Sequence, residues 1–223
     1  HTLVRIGHDV GEVIHNTAEE KGASLILLGW RPERPLRDFF VGGSVGHLIE
    51  NPPCDLAVLK IREGKPLGRV LIPTHGGTHA GLSLRLGTAI AKATENSKVT
   101  LFNVIPPEEE TERDLQEGAR MLRGKALAKA NGVEGVDVKI QIDHAPAIVP
   151  RVLEKSKGYD TVIVGATTEP LWRNYLFGHK TEEIASKVAT NVLLVKAHQG
   201  TRAQTLRRMA SRLLHVRRYL RRG

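Results

Sequence analysis

Two glycines bracket a loop whose residue types suit the binding of an anion. Gly165 follows the apolar run Thr161–Val164, and Gly178 stands thirteen residues later, directly before a helical pattern that begins with His, Lys and Thr. A glycine that closes a buried strand lets the backbone come close to a ligand. A helix start offers free amides to phosphate. The spacing therefore predicts a loop that arches over a nucleotide and places its phosphates at a helix start.

The same spacing occurs a second time in the chain, because Gly29 and Gly42 are also thirteen residues apart. An offset of 136 aligns Ile6–Lys60 with Ile142–Lys196 without a gap, and the apolar runs and turns coincide throughout. Self-similarity of this kind indicates two copies of one fold unit.

Short apolar runs alternate with helical patterns through the second copy. The runs predict strands at 69–73, 98–105, 136–142, 161–164 and 191–196, and the patterns predict helices near 82–93, 109–130, 147–157 and 181–189. Such alternation is typical of a doubly wound α/β fold. We expect a parallel five-stranded sheet in the order 3-2-1-4-5.

The first copy is incomplete by the same measure, since it corresponds only to the part of the second copy from the third strand onward. We interpret the chain as a piece of a longer protein, with residues 1–61 as the C-terminal half of a first unit. Residues 62–67 form a linker, 68–198 a complete second unit and 199–223 a basic amphipathic helix. The run Ser24–Gly29 should lack a neighbouring strand on one edge.

The loop after the first strand of the second copy, Thr74–Gly77, should lie beside the glycine-bracketed loop. In open α/β sheets, ligands bind at the carboxyl ends of the strands where the winding direction reverses. The strand alternation, the segment "LIPTHGG" and the glycine spacing together resemble the universal stress protein family. Its ATP-binding members carry Gly-x-x-Gly, nine residues and then Gly-Ser or Gly-Thr. The resemblance covers about Ile6–Lys60 and Gly68–Lys196.

The resemblance implies an ATP or AMP site in the second unit. The residues that it implies for this site are Pro73, Thr74, His75, Gly76, Val104, Gly165, Thr168, Gly178, His179, Lys180 and Thr181.

Several positions depart from the family pattern. Thr168 occupies the second glycine position, His179 the Ser/Thr position, and His75 the position of an aspartate. In the first unit, Pro32 and Gly43 stand at the corresponding glycine and Ser/Thr positions, and proline there donates no hydrogen bond. We therefore expect the first site to be inactive.

Two functions of different classes remain open. One is an adenine-nucleotide sensor, and the other is a nucleotide-free interaction and dimerisation domain that regulates an attached amino-acid transporter. A half unit joined to a whole one and followed by a basic tail is also similar to paired stress-protein domains at the cytoplasmic end of some prokaryotic amino-acid permeases. Family members pair through their last strands, which implies an antiparallel internal pseudo-dimer of Asp55–Lys60 with Asn191–Lys196, or a homodimer.

Catalysis is not indicated by any pattern in the sequence. No Ser-His-Asp or Cys-His order with recognised flanks and no P-loop is present, so we expect at most weak ATP hydrolysis. His75 and His79 stand four residues apart, but no third ligand is placed near them, and we interpret them as polar loop residues and not as a metal site.

The net charge of +9 is concentrated in the tail, where residues 201–223 hold eight arginines and no acid. The first 200 residues hold 25 Lys and Arg against 24 Asp and Glu, which does not favour nucleic-acid binding. Apolar residues three and four apart in this tail suit either an anionic membrane surface or packing on the domain itself. The single Cys54 fits a reducing cytoplasmic compartment. The arginine-rich tail and the resemblance to permease domains imply a place at the inner face of the membrane.

Overall fold

The computed structural model describes residues 2–30, 44–95, 97–106, 121, 124–125, 127–129, 135–166 and 177–199. The strands are β1 (Leu25–Gly29), β2 (Asp55–Lys60), β3 (Arg69–Pro73), β4 (Lys98–Ile105), β5 (Val138–His144), β6 (Thr161–Gly165) and β7 (Asn191–Lys196). The helices are α1 (Val10–Glu20), α2 (Ser44–Glu50), α3 (Ala80–Lys92), α4 (Ile148–Ser156) and α5 (His179–Lys187). In the helix predicted over 109–130, the described residues 121, 124–125 and 127–129 are helical.

These strands form one sheet of seven in the order β1-β2-β7-β6-β3-β4-β5. The second unit contributes β5-β4-β3-β6-β7, all parallel, which confirms the predicted α/β class and the 3-2-1-4-5 order. The strand count differs from five because β2 pairs antiparallel with β7, with Val58 opposite Leu194. Each of these strands would otherwise end its own half-sheet with an open edge, and joining them satisfies both edges.

Residues 2–60 contribute the two strands at one end of this sheet. β1 pairs with β2 in parallel and lies at the end of the sheet, as predicted for a run without a neighbour on one side. The first copy should by the repeat begin with its own third strand, ending at His8, but this expectation is wrong, because residues 2–8 form no strand. A strand needs a pairing partner, and β1 is already the last strand of the described sheet.

Local sequence explains several of these elements. The Asp9 carboxylate accepts a 2.8 Å hydrogen bond from the Glu12 amide and so caps the start of α1. β4 is buried along all but its first residue, as expected for an inner strand of a parallel sheet covered on both faces. α5 begins at His179, two residues before the predicted start, directly after Gly178, whose φ is +95°.

Side chains alternate between two apolar layers, one on each face of the sheet. Val162 and Val164 of β6 belong to the layer that also contains residues of α1, α2, α4 and α5. Ile163, between them, belongs to the layer under α3. The sheet of the second unit is therefore covered on both faces, and its strand ends are left as the place for a site.

The segment predicted as a linker, residues 62–67, is fastened to the second unit. The Asn191 side chain accepts a 2.8 Å hydrogen bond from the Arg62 amide and donates one of 2.8 Å to the Pro66 carbonyl. Asn191 is fully buried, at 0% exposure. The Asn191 side chain therefore joins this segment to the start of β7, and the Thr161 hydroxyl adds a 3.0 Å hydrogen bond to the Leu67 carbonyl.

Candidate functional site

A cavity of about 260 Å³ lies at the carboxyl ends of β3, β4 and β6, between the starts of α3 and α5. This is the point where the winding direction of the sheet reverses, and where ligands bind in open α/β sheets. Most of the residues predicted for the site line this cavity: Pro73, Thr74, His75, Val104, Gly165, Lys180 and Thr181.

The other four predicted residues do not line the main cavity. Gly76 lines a smaller adjoining cavity, while Gly178 and His179 stand beside the main cavity at the start of α5. Thr168 lies outside the described residues, as do Pro32, Gly42 and Gly43 of the first unit.

The loop after β3 is held in one conformation by its own hydrogen bonds. The Thr74 amide donates to the Phe102 carbonyl at 2.8 Å, which ties the loop to β4. The Thr74 hydroxyl accepts the Gly76 amide at 3.0 Å, and Gly76 has a φ of +85° that a side chain would disfavour. The conformation of this loop places exposed His75 at the mouth of the cavity.

His79, at the start of α3, is a cavity residue that the site prediction did not include. It is 6% exposed, and its Nδ1 accepts a 2.9 Å hydrogen bond from the Ala197 amide just beyond β7. Accepting at Nδ1 leaves the proton of the neutral ring on Nε2. The sequence offered only the four-residue spacing from His75 as a signal, and the structure uses His79 to attach α3 to the end of β7.

A packing contact explains why residue 165 is a glycine, and the sequence did not reveal this contact. A Cβ added there would lie 3.0 Å from the His79 Cβ and 3.8 Å from the Ser83 Oγ. The glycine therefore permits the close approach of α3 to the end of β6. The predicted close approach of a ligand to Gly165 stays a prediction.

The start of α5 is organised around buried polar contacts. The Thr181 hydroxyl, in a residue 2% exposed, donates to the Gly165 carbonyl at 3.0 Å. The Glu182 carboxylate accepts the Phe177 amide at 3.0 Å. These two hydrogen bonds hold the first turn of α5 against β6 and against Phe177. Lys180 therefore extends from a helix start whose position is fixed by hydrogen bonds.

The cavity has an apolar side and a positively charged side. Phe102 and Val104 of β4, Ile148 and Val152 of α4, Val164 and Ile184 supply apolar surface. In the sequence, these residues were marked only by the apolar spacing typical of strands and helices. That pattern predicts burial but does not identify a binding site. Lys180 brings a positive charge, and no carboxylate lines the cavity among the described residues. This arrangement suits a ligand with a flat apolar part and an anionic part.

The part of the chain that the structure describes contains neither a metal-binding cluster nor a membrane-spanning helix. No cluster of three His, Cys, Asp or Glu side chains there could hold a metal ion. Within the same residues, no helix has the length and apolar character needed to cross a lipid bilayer.

Comparison with known proteins gives both a family and an architecture. The model of the universal stress protein family matches residues 1–60 and 66–196. The Na⁺/H⁺ antiporter NhaS5 of Synechocystis is 26% identical over 196 residues, which cover 87% of this chain and 28% of the antiporter. The chain therefore spans less than a third of that relative.

Two solved structures have the same fold. A universal stress protein from Archaeoglobus fulgidus superposes with a TM-score of 0.58 at 16% identity, over 85% of this chain and 66% of that one. A protein of unknown function from Pseudomonas aeruginosa superposes with a TM-score of 0.56 at 18% identity, over 86% of this chain and 69% of that one.

Proposed function

Because this chain belongs to the universal stress protein family, we propose that its second unit, residues 68–198, is a regulatory domain that binds an adenine nucleotide, ATP or AMP. The observation that carries the proposal is the cavity at the carboxyl ends of β3, β4 and β6, which joins an apolar wall to a positively charged helix start. We do not assign it a chemical reaction.

The apolar wall is the proposed place for the base. Val104 is 6% exposed at the end of β4, and Ile148 and Val152 lie across the cavity on α4. A purine ring between these side chains would be removed from water on both faces, which favours binding in proportion to the apolar area covered. Thr74 and His75 at the neighbouring loop are proposed to contact the ribose.

The start of α5 is the proposed place for the phosphates. Lys180 lines the cavity, and its chain neighbours Gly178, His179 and Thr181 lie at the same helix start. Gly165, at the end of β6, and Thr168, which lies outside the described residues, are proposed to contact the ligand as well. Phosphate is favoured there by the lysine charge and by the positive end of the helix dipole.

We further propose that residues 1–61 are the C-terminal half of a first unit, and that the pairing of β2 with β7 is an internal pseudo-dimer. Residues related by the offset of 136 make matching contacts across this pairing. The Lys60 Nζ donates to the Ala185 carbonyl, and the Lys196 Nζ donates to the Ile49 carbonyl. A two-fold relation between the halves accounts for this exchange.

A transporter-associated role is proposed for the whole protein. The NhaS5 relative is an ion antiporter and not an amino-acid permease, so the support extends to transporters in general. In this proposal the domain lies in the cytoplasm, and the arginine-rich residues 199–223, of which 200–223 are outside the described residues, face an anionic membrane surface. The second candidate, a nucleotide-free interaction domain of such a transporter, is favoured by the family's pairing through last strands.

Titration calorimetry with ATP and AMP separates the two candidates. We expect saturable binding of both, and Lys180→Ala should weaken ATP binding about tenfold, or about 1.4 kcal/mol. Lys187→Ala is the matched control, because Lys187 is exposed on the same helix and pairs with Glu183 away from the cavity. Absence of heat at millimolar nucleotide, with an intact circular dichroism spectrum, would eliminate the sensor and favour the interaction domain.

A further inference from the structure

His79 connects the wall of the cavity with the segment that follows β7. The residue is 6% exposed and lines the cavity at the start of α3. The Nδ1 atom of its ring accepts the 2.9 Å hydrogen bond from the Ala197 amide, one residue after β7 ends. One buried side chain therefore belongs both to the proposed nucleotide site and to the attachment of the chain beyond β7.

The backbone of His79 is held independently of this hydrogen bond. The hydroxyl and the amide of Ser83 each donate to the His79 carbonyl at 3.0 Å. The glycine at position 165 lets the His79 Cβ lie close to the end of β6. With the backbone held in this way, a ring that turns away from Ala197 changes the cavity wall at the same time.

The segment that His79 holds, residues 196–198, is also bonded to the first half of the chain. The His198 amide donates to one oxygen of the Asp55 carboxylate at 2.8 Å. The other oxygen of this carboxylate accepts from Arg85 of α3 at 2.9 Å. The segment therefore lies between α3 and the first half, and the sequence continues from it into residues 201–223 with their eight arginines.

The cavity is open in the state in which the hydrogen bond from Ala197 to His79 is formed. Its volume in that state is about 260 Å³. A ligand that fits this cavity binds the bonded state more tightly than a state whose wall has changed. Such a ligand raises the population of the bonded state, and breaking the hydrogen bond must weaken the ligand by the same factor.

We infer that His79 couples occupancy of the nucleotide site to residues 196–198. Bound nucleotide holds this segment against α3, and so fixes where the arginine-rich part of the chain leaves the domain. His79 is a positioning residue here, because it acts through the hydrogen bond from Ala197. The inference rests on the proposed nucleotide binding and names what that binding regulates.

Amide hydrogen exchange of the 223-residue chain, with and without saturating AMP, tests the coupling. Exchange at the Ala197 amide should slow at least fivefold when AMP is bound, since coupling between two sites is typically about 5- to 150-fold. The Arg62 amide is the matched control. It corresponds to His198 in the repeat, and it donates to the Asn191 side chain at 2.8 Å, at the opposite end of β7. Its exchange should change by less than about twofold.

Two variants of His79 separate the hydrogen bond from the bulk of the side chain. An Asn side chain can place its oxygen where Nδ1 accepts, whereas a Gln side chain carries its amide group one bond further from the backbone. His79→Asn should keep the slowed exchange at Ala197 and an AMP affinity within about twofold of the wild type. His79→Gln should lose the slowed exchange and bind AMP at least fivefold more weakly, by about the factor that slows exchange in the wild type.

The outcomes separate the inference from the proposed function. AMP binding by the wild type in titration calorimetry, without slower exchange at Ala197, would overturn the inference and leave the proposed function standing. Equal effects of His79→Asn and His79→Gln on folded protein would also overturn the inference, because the hydrogen bond would not be the link. Absence of AMP binding to the wild type would overturn both. The wild-type comparison decides the matter whether or not His79→Gln folds.

Discussion

Lys60 and Lys196 cross the β2–β7 pairing in opposite directions, and each ends on the last helix of the other half. The Lys60 Nζ donates to the Ala185 and Val188 carbonyls at 2.5 and 3.2 Å, at the end of α5. The Lys196 Nζ donates to the Ile49 and Glu50 carbonyls at 2.8 and 2.9 Å, at the end of α2. A cation suits the negative end of a helix, so each half stabilises a helix end in the other.

The burial of Lys60 predicts that the stability of the protein depends on pH. Lys60 is 1% exposed, and its Nζ lies 4.8 Å from the centroid of the Trp30 ring. Burial is the main cause, and repulsion from Arg62 the second, that lowers the pKa of Lys60 to about 8. In the unfolded chain the pKa is 10.5. The unfolded state therefore holds more protons between these values, and stability should rise with pH across that window.

We expect the free energy of unfolding of the wild type, relative to Lys60→Met, to increase by about 2 kcal/mol between pH 7.5 and 10. Urea unfolding at several pH values measures it. Lys187→Met is the control, since Lys187 is exposed on α5 and pairs with Glu183 at the surface. A difference between wild type and Lys60→Met that is flat with pH would contradict the assignment.

Gly165→Ala and Gly29→Ala form a matched pair, because the two glycines are equivalent in the repeat. At Gly165 the new Cβ would meet the His79 Cβ at 3.0 Å, whereas at Gly29 nothing lies within 4 Å. We expect Gly165→Ala to cost about 1–3 kcal/mol by displacing the start of α3, and Gly29→Ala to stay within about 0.5 kcal/mol. Thermal unfolding compares them, and equal losses would refute the proposed role of α3.

Asn191→Ala tests how the segment 62–67 is attached. The buried side chain accepts from the Arg62 amide and donates to the Pro66 and Asp160 carbonyls at 2.8 and 2.9 Å. Losing these three hydrogen bonds, one of them buried and two partly buried, should cost about 3 kcal/mol. Hydrogen exchange should show faster exchange at Arg62, and Asn51→Ala, at an exposed site, serves as the control. A loss below about 1 kcal/mol would mean that the segment is held by other contacts.

Asp160→Asn tests an ion pair at the base of β3 and β6. The Arg69 guanidinium donates to the Asp160 carboxylate at 2.7 Å, and the Arg69 backbone amide donates to the same carboxylate at 2.9 Å. Hydrogen bonds from Arg69 are the main cause that lowers the pKa of Asp160. A lowered carboxyl pKa contributes stability above the unfolded value of 3.8, and this stability is lost as pH falls through the folded value.

At pH 7 we expect Asp160→Asn to cost about 2 kcal/mol, and less than a fully buried pair because the Arg69 side chain is 49% exposed. The difference from wild type should shrink below pH 4. Acid unfolding followed by circular dichroism measures this. A difference that persists unchanged to pH 2 would show that the carboxylate charge is not its source.

The strands, their parallel order and the position of the cavity were predictable from the sequence, because they depend on local patterns and on general rules of chain connection. Apolar runs such as Thr161–Val164 identify strands by length and flanking turns. The repeat then carries the assignment from one copy to the other, and the rule that ligands lie at the switch point selects the loops after β3 and β6. Seven of the eleven predicted site residues line the cavity on this basis.

Only the tertiary structure decided which residues meet across long sequence separations. The approach of His79 to Gly165, its bond to Ala197, and the seating of Lys60 on α5 each join residues more than 80 positions apart. No local pattern encodes such contacts, since they depend on how whole elements pack and on which strand edges remain to be paired. The free edge of β1 followed from the repeat, and the pairing of β2 with β7 was expected from the family resemblance, but the register that places Val58 opposite Leu194 came only from the structure.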